Sequence, residues 1–317
     1  MEHVRSDYSN NELQQIAGLI VDNRNENTLE ENQLRLRYLQ NPFGKAIILC
    51  GKEDGAVAVC VVIEQVRLFC FGKVRHCGLA SVFSSKKGCI TQDEVDGLLR
   101  LAEIEARNEG LEIIYAFEEL AEREKAKGLE WNWRRSDIKY RALQIEPFRS
   151  LFRITDMAKP FVPETIVYSD YNKGGLPQQT DSAEVNFNVV SPVMSEAFLN
   201  WYCRICNGRE IAEVDNDKVG VLGYVGKRSG IKEFHLLNLF HGADGELLPH
   251  IFEGVVKTIS TNLKPDIITF EEGEHLLPEV NTEYVMNHIE YGYKVMSGSG
   301  EYVEEIAIAL YRWFGIW

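Results

Sequence analysis

The sequence has no long hydrophobic segment and little basic charge. Its 317 residues include 34 Lys and Arg against 48 Asp and Glu, which gives a net charge of −14 at pH 7. No apolar run approaches the roughly 18 residues that cross a bilayer, and nucleic-acid binding depends mainly on clustered Lys and Arg. The start of the chain lacks the basic and then apolar order of a secretory signal. We therefore expect a cytoplasmic protein with neither a membrane nor a nucleic acid as a partner.

Several common catalytic motifs are also absent. The sequence contains no Gly-x-Ser-x-Gly elbow and no Gly-Lys-Ser/Thr phosphate loop, so hydrolase and NTPase interpretations have no support. Its seven cysteines are an odd number, which is typical of reduced thiols packed like small hydrophobic residues. Cys203 and Cys206 have metal-type spacing, but no second pair completes four ligands. We expect no metal site.

Two short segments half a chain apart are nearly identical. Ile113 to Glu119 reads IIYAFEE, and Ile267 to Glu272 reads IITFEE. Each is a strand-like apolar run that follows a helix-like segment and ends in two carboxylates. Their offset is about one domain length, and the chain is long enough for about two domains. The pattern favours a duplicated domain over a solenoid.

Hydrophobic periodicity predicts a similar order of elements in both halves. The capping box Thr91–Glu94 marks the start of the main helix of the first half. In the first half we predict helices at 11–21, 31–39, 92–110 and 118–127, and strands at 46–50, 56–66, 74–83 and 112–117. In the second half we predict helices at 193–206, 247–263 and 282–290, and strands at 218–227, 231–240, 266–270 and 303–312.

This order of elements resembles the GNAT-type N-acyltransferase superfamily. Arg35 to Lys45, RLRYLQNPFGK, looks like the aromatic-x-x-Asn-Pro-x-Gly segment of large bacterial members, and Phe198 to Tyr202 looks like a weaker copy. The resemblance covers nearly the whole chain. It implies an α/β (α+β) fold with two GNAT-like domains, each a mixed, mostly antiparallel sheet flanked by helices. The predicted boundaries are 1–155 for the first domain, 156–184 for a connecting segment and linker, and 185–317 for a second, degenerate domain.

The resemblance also implies where acyl-CoA, the donor, would bind. In this family the turn after the fourth strand holds the coenzyme A pyrophosphate, since backbone N–H groups and a helix N-terminus favour phosphate. Only Gly88 matches the glycine pattern of that turn, and Asp93 and Glu94 oppose a phosphate, so the loop is degenerate. The later loop that contains Asp244 and Glu246 has no Lys or Arg. The candidate binding residues are Val82, Phe83, Ser84, Ser85, Lys86, Lys87, Gly88 and Cys89.

Acyl transfer needs a base that takes a proton from the attacking amine. Glu118 and Glu119 follow the predicted fifth strand and are the candidate catalytic residues, with Glu271 and Glu272 as their counterparts. The alternative is structural, because Glu in the first turn of a helix complements the helix dipole. Other candidates are more often packing or hydrogen-bonded residues: Tyr115, Tyr140 and Tyr284 as acids, and His76, His235, His241 and His250.

By resemblance, the predicted activity is transfer of an acetyl or other acyl group from acyl-CoA to an amine on a small molecule, such as an amino sugar. Two alternatives remain. The first is a catalytically inactive GNAT-like protein that binds or scaffolds. The second is a Fem-like aminoacyl transferase, whose donor is a tRNA, and the net charge of −14 argues against that donor.

Overall fold

The computed structural model describes residues 3–5, 8–24, 31–84, 91–117, 131–145, 161–169, 190–206, 208–210, 219–241, 248–271, 283–298 and 300–314. The chain divides into two units. Unit 1 comprises Met1–Leu68, Val74–Arg135 and Glu290–Ala307, and unit 2 comprises Phe69–Lys73, Ser136–Ile289 and Ile308–Trp317. Each unit therefore draws on both halves of the sequence. The domain boundaries predicted at 155 and 184 lie outside the described residues and stay a prediction.

The described residues form runs of strands separated by helices. The strands are β1 (His3–Arg5), β2 (Ile47–Glu53), β3 (Ala56–Cys70), β4 (Lys73–Ser84), β5 (Ile113–Phe117), β6 (Asn132–Gln144), β7 (Val162–Tyr168), β8 (Val190–Pro192), β9 (Arg209–Glu210), β10 (Val219–Arg228), β11 (Ile231–His241), β12 (Ile267–Glu271) and β13 (Glu283–Val295). The helices are α1 (Asn10–Arg24), α2 (Glu31–Leu34) with a π-helical turn at Arg35–Leu39, α3 (Gln92–Asn108), α4 (Glu196–Ile205), α5 (Leu248–Leu263) and α6 (Val303–Phe314).

The sheet of unit 1 has the strand order β1-β2-β3-β4-β5-β13. Strands β4 and β5 are parallel and are connected through α3, whereas β5 and β13 are antiparallel. Leu98 and Ala102 of α3 pack on one face of this sheet, and Leu13 and Ile16 of α1 pack on the other. Because both faces are covered, β3 reads as an almost continuous apolar run.

The sheet of unit 2 has the strand order β6-β12-β11-β10-β7-β9. Strands β11 and β12 are parallel and are connected through α5, and β12 pairs antiparallel with β6. Phe252 and Val255 of α5 pack against Phe234 and Leu236 of β11. A strand–helix–strand arrangement with the same directions therefore occurs in each unit.

The backbone register of the two arrangements is the same. Cys77 of β4 pairs with Ile113 of β5, and Glu233 of β11 pairs with Ile267 of β12. In each unit, the second strand of the arrangement also pairs with a strand from elsewhere in the chain. Strand β5 pairs with β13, and β12 pairs with β6, which follows β5 in sequence. The duplicated arrangement and the mixed, mostly antiparallel sheet confirm the predicted fold class.

Two predicted elements are wrong in type. The helix predicted at 282–290 is part of strand β13, in which Ile289, Tyr291 and Tyr293 are buried with a period of two. The strand predicted at 303–312 is helix α6, because its buried residues recur three and four positions apart. Among them are Val303, Ile306, Ala307, Leu310, Trp313 and Phe314. The predicted connecting segment also contains a strand, β7.

Candidate active site

The parallel ladder between β4 and β5 stops before either strand ends. Their parallel ladder joins Cys77, Gly78 and Leu79 to Ile113, Ile114 and Tyr115, yet β4 continues to Ser84 and β5 to Phe117. Beyond the ladder, β5 stays paired with β13 as far as Phe117. We call the gap between residues 80–84 of β4 and 116–117 of β5 the unit 1 opening. It lies at the carboxyl ends of two parallel strands, where ligands of α/β sheets commonly bind.

Small side chains lie where the unit 1 opening begins. Ala80 and Ala116 are buried at 3% and 1% exposure and pack with Val82 against α3. Phe83 points to the opposite face, where it packs with residues of α1 and the π-helical turn. The two alanines leave more space at this position than larger residues would.

The structure describes only part of the predicted site. Val82 and Phe83 are buried near the end of β4, and the backbone of Ser84 ends that strand. Ser85, Lys86, Lys87, Gly88 and Cys89 lie outside the described residues, and so do Glu118, Glu119 and Glu272. Because β4 and β5 are parallel, their last residues, Ser84 and Phe117, lie at the same edge of the sheet.

The capping box predicted at the start of α3 is confirmed. The backbone N–H of Thr91 donates to Oε2 of Glu94 at 2.8 Å, and the Thr91 hydroxyl donates to the same oxygen at 3.1 Å. The Glu94 carboxylate therefore lies at the positive end of the α3 dipole. A phosphate at this terminus would be next to an existing negative charge.

The Asn-Pro-x-Gly segment has a structural role in unit 1. The Asn41 side chain donates to the carbonyl of Gln65 at 2.8 Å and accepts from the N–H of Phe43 at 2.9 Å. Gly44 has φ +141°, and a Cβ there would lie 2.4 Å from Oε1 of Gln65. The segment therefore fixes the entry to β2 against β3, and only glycine fits its last position.

The candidate acid Tyr115 and the candidate His76 in unit 1 form hydrogen bonds with neighbouring groups. Tyr115 donates from its hydroxyl to the carbonyl of Val303 at 3.2 Å. His76 shares a 2.9 Å hydrogen bond between its Nε2 and Oε1 of Gln65, and burial lowers its pKa. The prediction that His76 is a hydrogen-bonded residue is confirmed. The side chain of Tyr284 lies outside the described part of β13.

Unit 2 has a corresponding gap. The parallel ladder of β11 and β12 ends at Leu236 and Phe270, while β11 continues to His241. A β-bulge occurs at the same place, because Gly223 pairs with Leu236 and Leu222 pairs with Asn238, which leaves Leu237 as the extra residue. We call the region beside β11 beyond Leu236 and Phe270, where the described part of β12 ends at Glu271, the unit 2 opening.

A chain of buried polar side chains leads to the unit 2 opening. Nε and Nη2 of Arg228 donate to the two carboxylate oxygens of Glu233 at 2.7 and 3.1 Å. The Thr269 hydroxyl donates to Oε1 of Glu233 at 2.5 Å, and Nδ1 of His235 lies 3.0 Å from Oγ1 of Thr269. All four residues are at most 4% exposed, so each hydrogen bond forms away from water.

These hydrogen bonds determine the tautomer of His235. The single hydroxyl proton of Thr269 is donated to the Glu233 carboxylate, so the Thr269 oxygen can only accept from the imidazole. Nδ1 of His235 therefore carries the proton, and Nε2 of the neutral ring carries a lone pair. Burial first, and then the charges of Arg228 and Arg312, lower the pKa of His235 to about 3. The imidazole is neutral at physiological pH.

Sequence reasoning placed His235 among structural residues and did not identify its surroundings. The hydrogen bond of Nδ1 agrees with the predicted structural role, but Nε2 has no partner among the described residues. The carboxamide of Asn238 also lacks a partner there. The available signal was the placement of Glu233, His235 and Asn238 within an otherwise apolar segment, which is unusual for a buried strand.

The remaining candidates give no cofactor or metal site in the described residues. Burial raises the pKa of Cys203 to about 12, which disfavours the thiolate that binds metals. Within the described part of the chain, no three His, Cys, Asp or Glu residues are grouped so that they could hold a metal ion. No described helix is long and apolar enough to cross a membrane.

Comparison with solved structures shows the fold. A probable N-acyltransferase from Enterococcus faecalis V583 is similar with a TM-score of 0.57 and 9% identity, over 93% of this chain and 73% of that one. A GCN5-related N-acetyltransferase from Anabaena variabilis has a TM-score of 0.58 with the same identity and coverage. A third, from Kribbella flavida, has a TM-score of 0.54 and 9% identity over 93% and 72% of the two chains. No protein-family model matches the chain, and the search of curated proteins finds no match.

The predicted GNAT-like fold is thereby confirmed across nearly the whole chain. At 9% identity the similarity identifies the fold alone, because one fold supports many functions. The function has to be argued from the two openings.

Proposed function

We propose that this protein is an N-acyltransferase that moves an acetyl or other acyl group from acyl-CoA to an amine on a small molecule, such as an amino sugar. The observation that carries the proposal is the unit 1 opening, where the ladder stops after Leu79 and Tyr115 while both strands continue. A gap between two parallel strands can admit the extended pantetheine arm of coenzyme A. Ala80 and Ala116 at its start have small side chains, which favour the approach of that arm more than larger residues would.

Within this proposal, the segment from Val82 to Cys89 binds the donor, and Glu118 or Glu119 is the base. The support is that β4 and β5, which precede these two groups in sequence, are parallel and end at Ser84 and Phe117 beside the unit 1 opening. Lys86 and Lys87 would neutralise part of the pyrophosphate charge. A carboxylate at the end of β5 would take the proton of the amine as its nitrogen attacks the thioester carbonyl and the thiolate leaves.

A second candidate function is a catalytically inactive GNAT-like binding protein. The observation that favours it is the capping box of α3, in which Glu94 occupies the helix terminus that would otherwise face a phosphate. An anion there would have to displace or adjoin this carboxylate, which is unfavourable for like charges.

The test measures donor binding and thiol release separately. We expect millimolar acetyl-CoA to raise the melting temperature, because a ligand at about 100 times its Kd stabilises the folded state by about 2.7 kcal/mol. We also expect free thiol to appear when amines, including amino sugars, are added. Stabilisation without thiol release across the amine panel would favour the inactive binding protein. The absence of both stabilisation and thiol release would reject acyl-CoA as the donor.

Two sets of variants locate the site. The double variant Lys86→Glu/Lys87→Glu should abolish the stabilisation, whereas Lys73→Glu, exposed at the start of β4, should retain it. Glu118→Gln and Glu119→Gln should identify the base through a loss of about 10²-fold or more in kcat. Glu109→Gln, exposed at the end of α3, is the matched control. Full activity in the double Glu118→Gln/Glu119→Gln variant would reject both carboxylates as bases.

A further inference from the structure

Two buried side chains at the unit 2 opening have polar atoms without partners in the described part of the chain. The exposed fraction is 3% for His235 and 2% for Asn238. Nε2 of His235 and both carboxamide atoms of Asn238 have no hydrogen-bond partner among the described residues. Buried polar groups in native proteins are almost always hydrogen-bonded, so three unpaired atoms at one place require an explanation.

Both side chains lie on the same face of β11. Phe234 and Leu236 point toward α5, so His235 points to the opposite face. The bulge at Leu237 shifts the alternation by one residue, and Asn238 consequently pairs with Leu222, which lies opposite the α5 side. The bulge therefore returns Asn238 to the face of His235, just beyond the last rung of the ladder between β11 and β12.

The chemistry that these atoms offer is defined. Nε2 of His235 is an acceptor, because the Thr269 and Glu233 hydrogen bonds hold the ring proton on Nδ1. The Asn238 carboxamide supplies a donor and an acceptor. A matching ligand group has an N–H for the imidazole and a carbonyl oxygen for the amide nitrogen of Asn238.

Charge disfavours a cation at this place, and the hydrogen-bonding character of Nε2 disfavours an anion. The positive charges of Arg228 and Arg312 act on His235, so a ligand cation would be repelled. An anion would face the Nε2 lone pair. Rings of Tyr140 and Phe161 lie 5.3 and 5.9 Å from the imidazole between ring centroids, and such apolar walls favour a neutral group.

We propose that the unit 2 opening binds the neutral amide group of a small molecule. The amide N–H donates to Nε2 of His235, and Nδ2 of Asn238 donates to the amide carbonyl. The site uses none of the residues of the unit 1 opening and involves no thioester and no group transfer, so it goes beyond the acyltransferase proposal. Its test is independent of whether acyl-CoA is a substrate.

The experiment follows the imidazole nitrogens by NMR in the full chain labelled with ¹⁵N-histidine. Without ligand we expect His235 to show a protonated Nδ1 and an unprotonated Nε2. Acetamide and N-methylacetamide should shift the Nε2 resonance in a saturable manner. N,N-dimethylacetamide, which has no N–H, should not, and neither should methylammonium or acetate. A protonated Nε2, or equal responses to N-methylacetamide and its dimethyl analogue, would overturn the proposal.

Variants separate binding from folding. Asn238→Leu should weaken N-methylacetamide binding by about tenfold, as expected for one lost hydrogen bond, whereas Asn262→Leu, exposed on α5, should leave it unchanged. Thr269→Val removes the acceptor of Nδ1 and should move part of the ring proton to Nε2, which weakens binding without touching the ligand. Unchanged affinity in both Asn238→Leu and Thr269→Val would refute the site. The lack of a saturable response to any of the amides would also refute the site, and an ordered water would then be the partner.

Discussion

Units 1 and 2 repeat one arrangement of strands but differ on one face of it. On the face toward α3 or α5 the paired positions are apolar in both units, as with Ile114 and Ile268. On the other face, Leu79 of unit 1 has the register position that His235 has in unit 2. Tyr115 corresponds in the same way to Thr269. The backbone ladder and the helix-facing side chains thus maintain the arrangement, while the opposite face varies.

The two versions of this face are stabilised differently. In unit 1 the rings of Tyr115, Tyr291 and Tyr293 lie 6.3–6.4 Å apart, and burial is the main cause that raises the pKa of Tyr291 to about 12. Apolar area dominates there. In unit 2 the stability of the face depends on complete pairing of the Arg228 and Glu233 charges, because an unpaired buried charge is strongly unfavourable.

The largest expected effect comes from giving unit 2 the residue of unit 1 at one position. Glu233→Cys places the counterpart of Cys77 in β11 and leaves Arg228, which is 4% exposed, without its carboxylate. We expect the free energy of unfolding to fall by about 3–5 kcal/mol, measured by urea denaturation. The double variant Arg228→Met/Glu233→Cys should recover most of this loss, because it removes both charges.

An exposed ion pair in the same unit is the control for this substitution. Lys227 and Glu164 form a 2.7 Å salt bridge, but their side chains are 59% and 49% exposed. Glu164→Gln should therefore cost less than about 1 kcal/mol. Equal losses of unfolding free energy for Glu164→Gln and Glu233→Cys would mean that burial does not determine how much the Arg228–Glu233 pair contributes to stability.

We expect a change in pH to have an effect of intermediate size on the free energy of unfolding. The pKa of His235 is about 3 in the folded protein against 6.5 ordinarily, so between these values the unfolded chain binds the proton that the folded chain excludes. Stability then falls as pH decreases from about 6.5 toward 3, by up to about 1.4 kcal/mol per pH unit. His235→Leu, the residue of unit 1, should flatten this dependence, and Asn238→Leu should keep it. Parallel curves for wild type and His235→Leu would contradict the prediction.

Much of the fold could be predicted from the sequence because local signals agreed with it. Thr91 and Glu94 marked the start of α3, and the repeated apolar runs marked β5 and β12. The misassigned elements, β13 and α6, are those whose patterns are ambiguous alone. Strand β13 reads as a strand only when β5 is available to pair with it, and that pairing spans more than 170 positions of the chain. Such long-range pairing is invisible to local periodicity.

The candidate site was less predictable, since buried polar chemistry depends on contacts between strands. The carboxylates Glu118 and Glu119 stay a prediction, because they lie outside the described residues. The Glu233–Thr269–His235 hydrogen bonds join positions 34 and 36 apart in sequence, and neither a motif nor a spacing rule relates them. The bulge that turns Asn238 toward the face of His235 is equally a property of strand pairing.

The smallest expected effect comes from adding a side chain to β13 of unit 1 at a position where β6 of unit 2 has one. Gly292 pairs with Ala116 as Arg141 pairs with Phe270, but a Cβ at Gly292 would lie 2.9 Å from the ring of Trp133. Gly292→Ala should therefore lower the free energy of unfolding by about 1 kcal/mol, a small loss because Trp133 is 40% exposed and can shift. In a Trp133→Ala background the same substitution should instead stabilise by about 0.5 kcal/mol, through the reduced entropy of the unfolded chain. If Gly292→Ala changes the free energy of unfolding in the same direction in both backgrounds, contact with Trp133 is not the reason for glycine at this position.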